Sequence, residues 1–184
     1  MNVVSKESAI KKLKNGLPII FQTDTLPAIG CLPNFSKIIY EIKKRDSKKP
    51  LILMGAEISQ LTDYVDESAR KDYENIASKF WPGALTLIIP ISKNKKSVAT
   101  SENFTLGLRI PNSSAAQSLI KETGPLLTSS ANISGIQGSI TPEGIANDLP
   151  SVDILGPVPW EQCSGCASTI ISWVKYGGWR LIRN

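Results

Sequence analysis

The sequence predicts an α/β fold, a single domain over residues 1–184 built around a mixed sheet. Short apolar runs, the pattern of buried strands, alternate with stretches whose apolar residues recur every three or four positions, the pattern of helices. No internal repeat or low-complexity linker divides the chain. At 184 residues it can bury one sizeable core, while two full domains would be cramped.

Taken in order, residues 5–15 read as a first helix, with Ala9, Ile10 and Leu13 on one face and Gly16 as its stop. Residues 17–21 form a short apolar strand that Gln22-Thr-Asp-Thr25 breaks with polar groups. Asn34 is placed to cap a second helix carrying Ile38, Ile39 and Ile42, which ends in the basic cluster Lys43-Lys44-Arg45. Residues 51–54 are another buried strand. The amphipathic stretch 58–80 divides into two helices, and Trp81-Pro82-Gly83 turns into a strand over 85–91. A tryptophan before a tight Pro-Gly turn is expected to pack in the core. Residues 93–101 read as an exposed charged loop, 105–110 as a strand carrying Arg109, and 113–122 as a helix. Thr141 and Pro142 supply the cap and first position of a short helix. Strands over 152–155, 169–174 and 179–182 complete the chain.

Hydrophobic residues make up 41% and charged residues 20%, an ordinary soluble balance. No run approaches the roughly 20 apolar residues that span a bilayer, and the first residues are too polar for a signal peptide. A cytoplasmic protein with no membrane partner is expected. The excess of 21 basic over 16 acidic residues suits a polyanionic ligand such as a nucleotide or RNA, without requiring one. Three cysteines argue against a disulfide framework. Cys163 and Cys166 form a C-x-x-C pair, but only Cys31 is left to join them and there is no histidine, so no metal site is expected. The absence of histidine also removes Ser-His and Cys-His nucleophiles and any histidine base. Chemistry here must rest on positioning and electrostatics, or on carboxylates and lysines.

The run 125–135 is the most informative segment. An apolar strand ends in Thr128-Ser129-Ser130-Ala131-Asn132-Ile133-Ser134-Gly135, and such strand ends offer N–H groups and short polar side chains to anions. Three further segments share the design: Gln22 to Thr25, the cluster from Lys43 to Pro50, and Thr105 to Pro111. Ligand sites in open α/β sheets gather outside strand ends, so the four are expected to converge on one cleft.

In this order and spacing the segments resemble the YrdC-type family of threonylcarbamoyl-adenylate synthases. The resemblance rests on Thr23-Asp-Thr25 with Ile29-Gly30, Ile42-Lys43-Lys44-Arg45 with Lys49-Pro50-Leu51, and Trp81-Pro-Gly-Ala-Leu-Thr86. It continues through Arg109-Ile-Pro111, Ser130-Ala-Asn132-Ile-Ser134-Gly135, Ser168-Thr169 and Leu181-Ile182-Arg183. It implies a twisted open mixed sheet with flanking helices and a positively charged cleft. It also implies synthesis of threonylcarbamoyl-AMP from L-threonine, bicarbonate and ATP with release of pyrophosphate. ATP enters as a substrate with magnesium, no cofactor is tightly bound, and other proteins transfer the threonylcarbamoyl group to tRNA. Family members have also been taken for double-stranded RNA binders.

By resemblance, Lys43 and Arg45 serve catalysis on the triphosphate, and Arg45, Lys49, Thr105, Ser130, Asn132 and Arg183 contact the nucleotide. Thr25, Arg109, Thr128 and Ser168 contact L-threonine, with Arg109 as the bidentate partner of its carboxylate. For Arg109 a structural ion pair is the alternative reading. Two departures fall on the amino-acid side: the family's tyrosine after Thr-x-Thr is replaced within Leu26-Pro27-Ala28, and Met54 stands where many members carry histidine. A paralogue with another amino-acid substrate is therefore an alternative, as is a non-enzymatic RNA-binding module. The module has no need of Thr25, Arg109 and Thr128, and would be expected to show stacking aromatics, which are only 7% of residues.

Overall fold

The structure, a computed structural model, describes residues 1–98 and 103–184. The chain order is β1 (Val3–Val4), α1 (Lys6–Lys14), β2 (Ile19–Phe21), β3 (Ala28–Cys31), α2 (Lys37–Lys43), β4 (Ile52–Met54), α3 (Ile58–Thr62) and α4 (Arg70–Phe80). It continues with β5 (Leu85–Pro90), β6 (Thr105–Arg109), α5 (Ser114–Thr123), β7 (Leu126–Ser130), α6 (Pro142–Asp148), β8 (Asp153–Leu155), β9 (Thr169–Val174) and β10 (Gly178–Arg183). The strands form one mixed sheet in the order β1-β8-β2-β3-β7-β4-β6-β5-β9-β10.

Local chemistry sets the helix ends. Ser5 caps α1 by accepting from the Ser8 N–H at 3.3 Å, Ser113 caps α5 through Ala116, and Thr141 caps α6 through Gly144 with Pro142 in the first turn. Asn34 does not cap α2. It lies in a 3₁₀ turn over Pro33–Phe35, and Ser36 precedes the helix without a side-chain cap. Of the expected loop over 93–101, Lys93–Val98 form a 3₁₀ helix and the remainder lies outside the described residues.

Alternation along the strands divides the sheet into two faces. One face carries Ile20, Ile29, Leu53, Leu87, Leu108 and Leu127 into a core with Ile39 of α2, Leu61 of α3, Tyr73 and Ala77 of α4, and Ile145 of α6. Trp81 joins it, with its indole N–H donating to the Leu85 carbonyl at 2.7 Å and its ring edge-to-face with Tyr73, as expected of a packed turn residue. The other face carries Ile19, Phe21, Ala28, Met54 and Leu126 against Ala9 and Leu13 of α1 and Ala116, Leu119 and Ile120 of α5. That cover serves the β8-β2-β3-β7 side of the sheet. Next to it, over the central strands, lies the candidate site.

Candidate functional site

A cavity of about 450 Å³ lies on the α1/α5 face of the sheet rather than beyond its strand ends. Strand register builds its floor. Thr128 of β7 pairs with Ile52 of β4, Ile52 with Gly107 of β6, and Gly107 with Ile88 of β5, so these four side-chain positions form one row. Met54 pairs with Arg109 in a neighbouring row, and Thr86 pairs with Ile170 of β9. All of these residues line the cavity. Gly107 keeps the floor open, since a Cβ there would lie 3.3 Å from the Ile52 side chain and 3.4 Å from that of Thr86.

Of the residues expected at the site, Thr25, Arg45, Lys49, Thr105, Arg109, Thr128, Ser130, Ser168 and Arg183 all line this cavity. Among the described residues, four cationic side chains line it and no carboxylate does. Asn132 instead lines a second cavity of about 250 Å³ that shares Leu26 and Ser130 with the first. Its amide shapes the loop: Oδ1 accepts from Ser130 Oγ at 2.5 Å, and Nδ2 donates to the Ile133 and Ile136 carbonyls.

Lys43 departs from the expectation of a phosphate contact. It is 1% exposed, absent from the cavity wall, and its ammonium donates to the Ser130 and Asn132 carbonyls and to Asn132 Oδ1. Its own carbonyl accepts from the Ser134 N–H at 2.9 Å. The last turn of α2 is thus tied to the Ser130–Ser134 loop by both main chain and side chain. Burial, reinforced by the Arg45 charge, pushes the Lys43 amine down to about 8.

Arg109 makes the structural ion pair and also borders the cavity. Its guanidinium is 3% exposed and donates to Asp24 Oδ1 at 2.6 Å, Thr25 Oγ1 at 2.7 Å and the Gly83 carbonyl at 3.1 Å, while the residue also faces the cavity. Burial lowers its pKa and the Asp24 carboxylate opposes that shift. Asp24 is held in turn by the Asn112 N–H at 3.1 Å. Sequence reasoning passed over Asp24, although a carboxylate between two threonines was available as a counter-ion for a buried arginine.

Proton counting defines what the cavity hydroxyls can offer. Thr23 Oγ1 donates to the Leu26 carbonyl at 2.7 Å, so in its 3.1 Å contact with Thr25 Oγ1 the donor is Thr25. Thr25 then has its hydrogen engaged and accepts from Arg109, which leaves it able only to accept from an occupant. Thr128 Oγ1 donates to the Ile52 carbonyl at 2.9 Å and is left in the same condition. Across the floor, Thr86 Oγ1 and Ser168 Oγ lie 2.8 Å apart, both buried. Arg183 reaches over from β10, donating to the Ser168 carbonyl at 2.8 Å.

Of the four cations Arg109 is buried, whereas Arg45 is half-buried and Lys49 and Arg183 are exposed. Arg45 is braced on the Lys49 and Pro50 carbonyls at 3.2 and 3.1 Å, which turns the 45–50 loop against the cavity rim. The C-x-x-C loop is tied to the segment before Leu26: the Ser164 and Gly165 N–H groups donate to the Asp24 and Thr25 carbonyls, each at 3.1 Å. Cys163 and Cys166 are free thiols there, as is buried Cys31. The wall thus combines acceptors fit for an ammonium, a buried guanidinium fit for a carboxylate, and cations fit for phosphates.

The profile of the Sua5/YciO/YrdC family, described as "Telomere recombination", matches residues 11–184. A threonylcarbamoyl-AMP synthase of Bacillus subtilis (strain 168) is 36% identical over 74% of this chain, which spans 41% of that protein. One from Idiomarina loihiensis is 33% identical over 70% of the chain and 72% of its own length. The crystal structure of P. abyssi Sua5 complexed with L-threonine superposes with a TM-score of 0.88 at 27% identity, covering 100% of this chain and 57% of that one.

Proposed function

The chain belongs to the Sua5/YciO/YrdC family, and on that premise we propose that it makes threonylcarbamoyl-AMP from L-threonine, bicarbonate and ATP, releasing pyrophosphate. The observation that carries the reading is the opposed hydrogen-bond polarity of the cavity wall. Thr25 and Thr128 can only accept there, while Arg109 only donates. An α-amino acid presents the complementary pair, an ammonium and a carboxylate.

In this reading the threonine ammonium first loses a proton to solvent, the free amine takes up bicarbonate with loss of water, and the resulting carbamate oxygen attacks the α-phosphorus of ATP as pyrophosphate leaves. The carbamate is already an anion, so adenylation needs no general base, which fits a chain without histidine and a cavity that no carboxylate lines among the described residues. The protein's contribution is alignment and charge neutralisation. Arg45, Lys49 and Arg183 neutralise phosphate oxygens, Thr105 and Ser130 contact the nucleotide, and Asn132 shapes the adjoining loop. Lys43 acts on the triphosphate indirectly, by holding that loop. Magnesium travels with ATP on its phosphate oxygens. Residues 1–184 act as one domain, which the single ten-stranded sheet supports. Other proteins pass the activated carbamoyl group to tRNA. The site of action is cytoplasmic, in keeping with the lack of any described helix long and apolar enough to cross a membrane.

Met54 and Leu26 line the cavity at the positions where the chain departs from the family pattern, so the test includes an amino-acid panel. The protein is incubated with ATP, labelled bicarbonate and each amino acid in turn. Pyrophosphate formation that depends on L-threonine and incorporates label is the expected result. Turnover with a different amino acid replaces the substrate, and absence of turnover together with salt-sensitive RNA binding replaces the reading with an RNA-binding one.

A further inference from the structure

We propose that Thr86 is a specificity-determining positioning residue: it sets the Ser168 hydroxyl so that the pair presents one hydrogen to the side-chain hydroxyl of the amino-acid substrate. The inference rests on the function proposed above and extends it to a residue that no part of that reading uses.

The argument begins with the strand. Thr86 lies on β5 with its neighbours Leu87 and Ile89 in the core and Ile88 on the cavity side. Its methyl group is directed at Gly107, where a Cβ would stand 3.4 Å away. Its hydroxyl lies 2.8 Å from Ser168 Oγ. A β-branched side chain held in this way has one usable rotamer. Thr86 and Ser168 are 1% and 3% exposed, and both line the cavity.

The two hydroxyls carry two hydrogens between them, and the bond that joins them consumes one. An Arg183 N–H lies 3.4 Å from Ser168 Oγ and uses only an acceptor site there. Whichever hydroxyl donates within the pair, one hydrogen remains for an occupant of the cavity that both residues line. A buried donor of this kind penalises an occupant that has no acceptor to meet it.

Geometry indicates which substrate group that is. An amino acid's α-carbon carries three groups that diverge. The acceptor Thr128 stands on β7, the donor Arg109 on β6, and Thr86 on β5 with Ser168 beside it. With the ammonium at Thr25 and Thr128 and the carboxylate at Arg109, the side chain points towards the hydroxyl pair. A β-hydroxyl oxygen accepts the free hydrogen, and a methyl group in its place cannot.

The test is a double-substitution cycle read by calorimetric affinity for L-threonine and L-valine, with ATP affinity and thermal stability as controls. Thr86→Val is expected to weaken threonine binding by about tenfold, the worth of one hydrogen bond, to narrow the preference for threonine over valine, and to leave ATP affinity unchanged. Ser168→Ala should weaken threonine at least as much, and the double variant no further than Ser168→Ala alone. Thr86→Ser, which keeps the hydroxyl, should restore both affinity and preference. Additive losses in the double variant, or equal losses for threonine and valine, overturn the role given to Thr86 while the synthase reading stands. Wild-type protein that fails to bind L-threonine overturns the functional reading and this inference with it.

Discussion

Arg109→Met keeps an aliphatic stem but removes the guanidinium shared by Asp24, Thr25 and Gly83. Two separate losses should follow. Taking one member from a buried ion pair costs about 3–5 kcal/mol. The lower end applies here, because the Asp24 side chain is 17% exposed and keeps the Asn112 N–H. For a chain of this size each kcal/mol moves Tm by roughly 2–4 °C, so a fall of about 6–12 °C is expected. The second loss is the substrate carboxylate's partner. Charge-assisted hydrogen bonds are worth about 1.5–3 kcal/mol, so the threonine KM should rise about 10- to 100-fold. The ATP KM should hardly move. Adding Asp24→Asn removes the stranded carboxylate and should restore most of the lost Tm without restoring the threonine KM. Pyrophosphate release measured against each substrate, together with thermal melts, reads both effects. Recovery of the threonine KM along with Tm would show that Arg109 acts only on folding, and equal rises in the two KM values would remove it from the carboxylate.

Lys43 should leave a signature in the pH dependence of stability. Its folded value of about 8 lies below its ordinary 10.5, so between those values the unfolded chain holds the extra proton and stability gains with rising pH. Lys43→Met should abolish that gain, seen as the difference in Tm between wild type and variant at pH 8 and pH 10. A constant difference would refute it. Gly135→Ala should cost about 1–2 kcal/mol from backbone strain alone, because φ is +84° and nothing lies within 4 Å of the added methyl. Urea titration measures it, and a neutral result would mean that the Ser134-Gly135 turn relaxes freely. Gly107→Val should block the cavity floor between Ile52 and Thr86, so that threonine binding is lost while the protein still melts cooperatively. Unchanged affinity would place the amino acid elsewhere.

Several elements could be read directly from local pattern. The starts of α1, α5 and α6 follow from Ser5, Ser113 and Thr141, whose hydroxyls cap the free N–H groups of the first turn. Strands β4 to β7 announce themselves as apolar runs with polar ends. β3 did not, since Pro27, Gly30 and Pro33 give Ala28–Cys31 the look of a loop. Its strand state comes from antiparallel pairing on both sides, with β2 and β7, and no local signal carries that. The helix cap assigned to Asn34 failed for a related reason, because Pro33 opens a 3₁₀ turn that absorbs it before α2 begins.

The ordered motifs identified the family, and nine of the residues they singled out do line one cavity. Residue order and type were enough for that, because hydroxyl, amide and basic groups at set positions along a chain record which ligands they can meet. Position within the site was decided by tertiary structure. Expected beyond the strand ends, the cavity lies on a sheet face, where register brings Thr128, Ile52, Gly107 and Ile88 into one row. Lys43 and Arg45 look alike in sequence, yet burial ties the first to a loop and leaves the second at the rim. Asp24 and Thr86 acquire their places only from partners 85 and 82 residues away, Arg109 and Ser168. A hydrogen bond between distant residues depends on how strands pair, and a one-residue shift in that pairing turns every side chain to the opposite face.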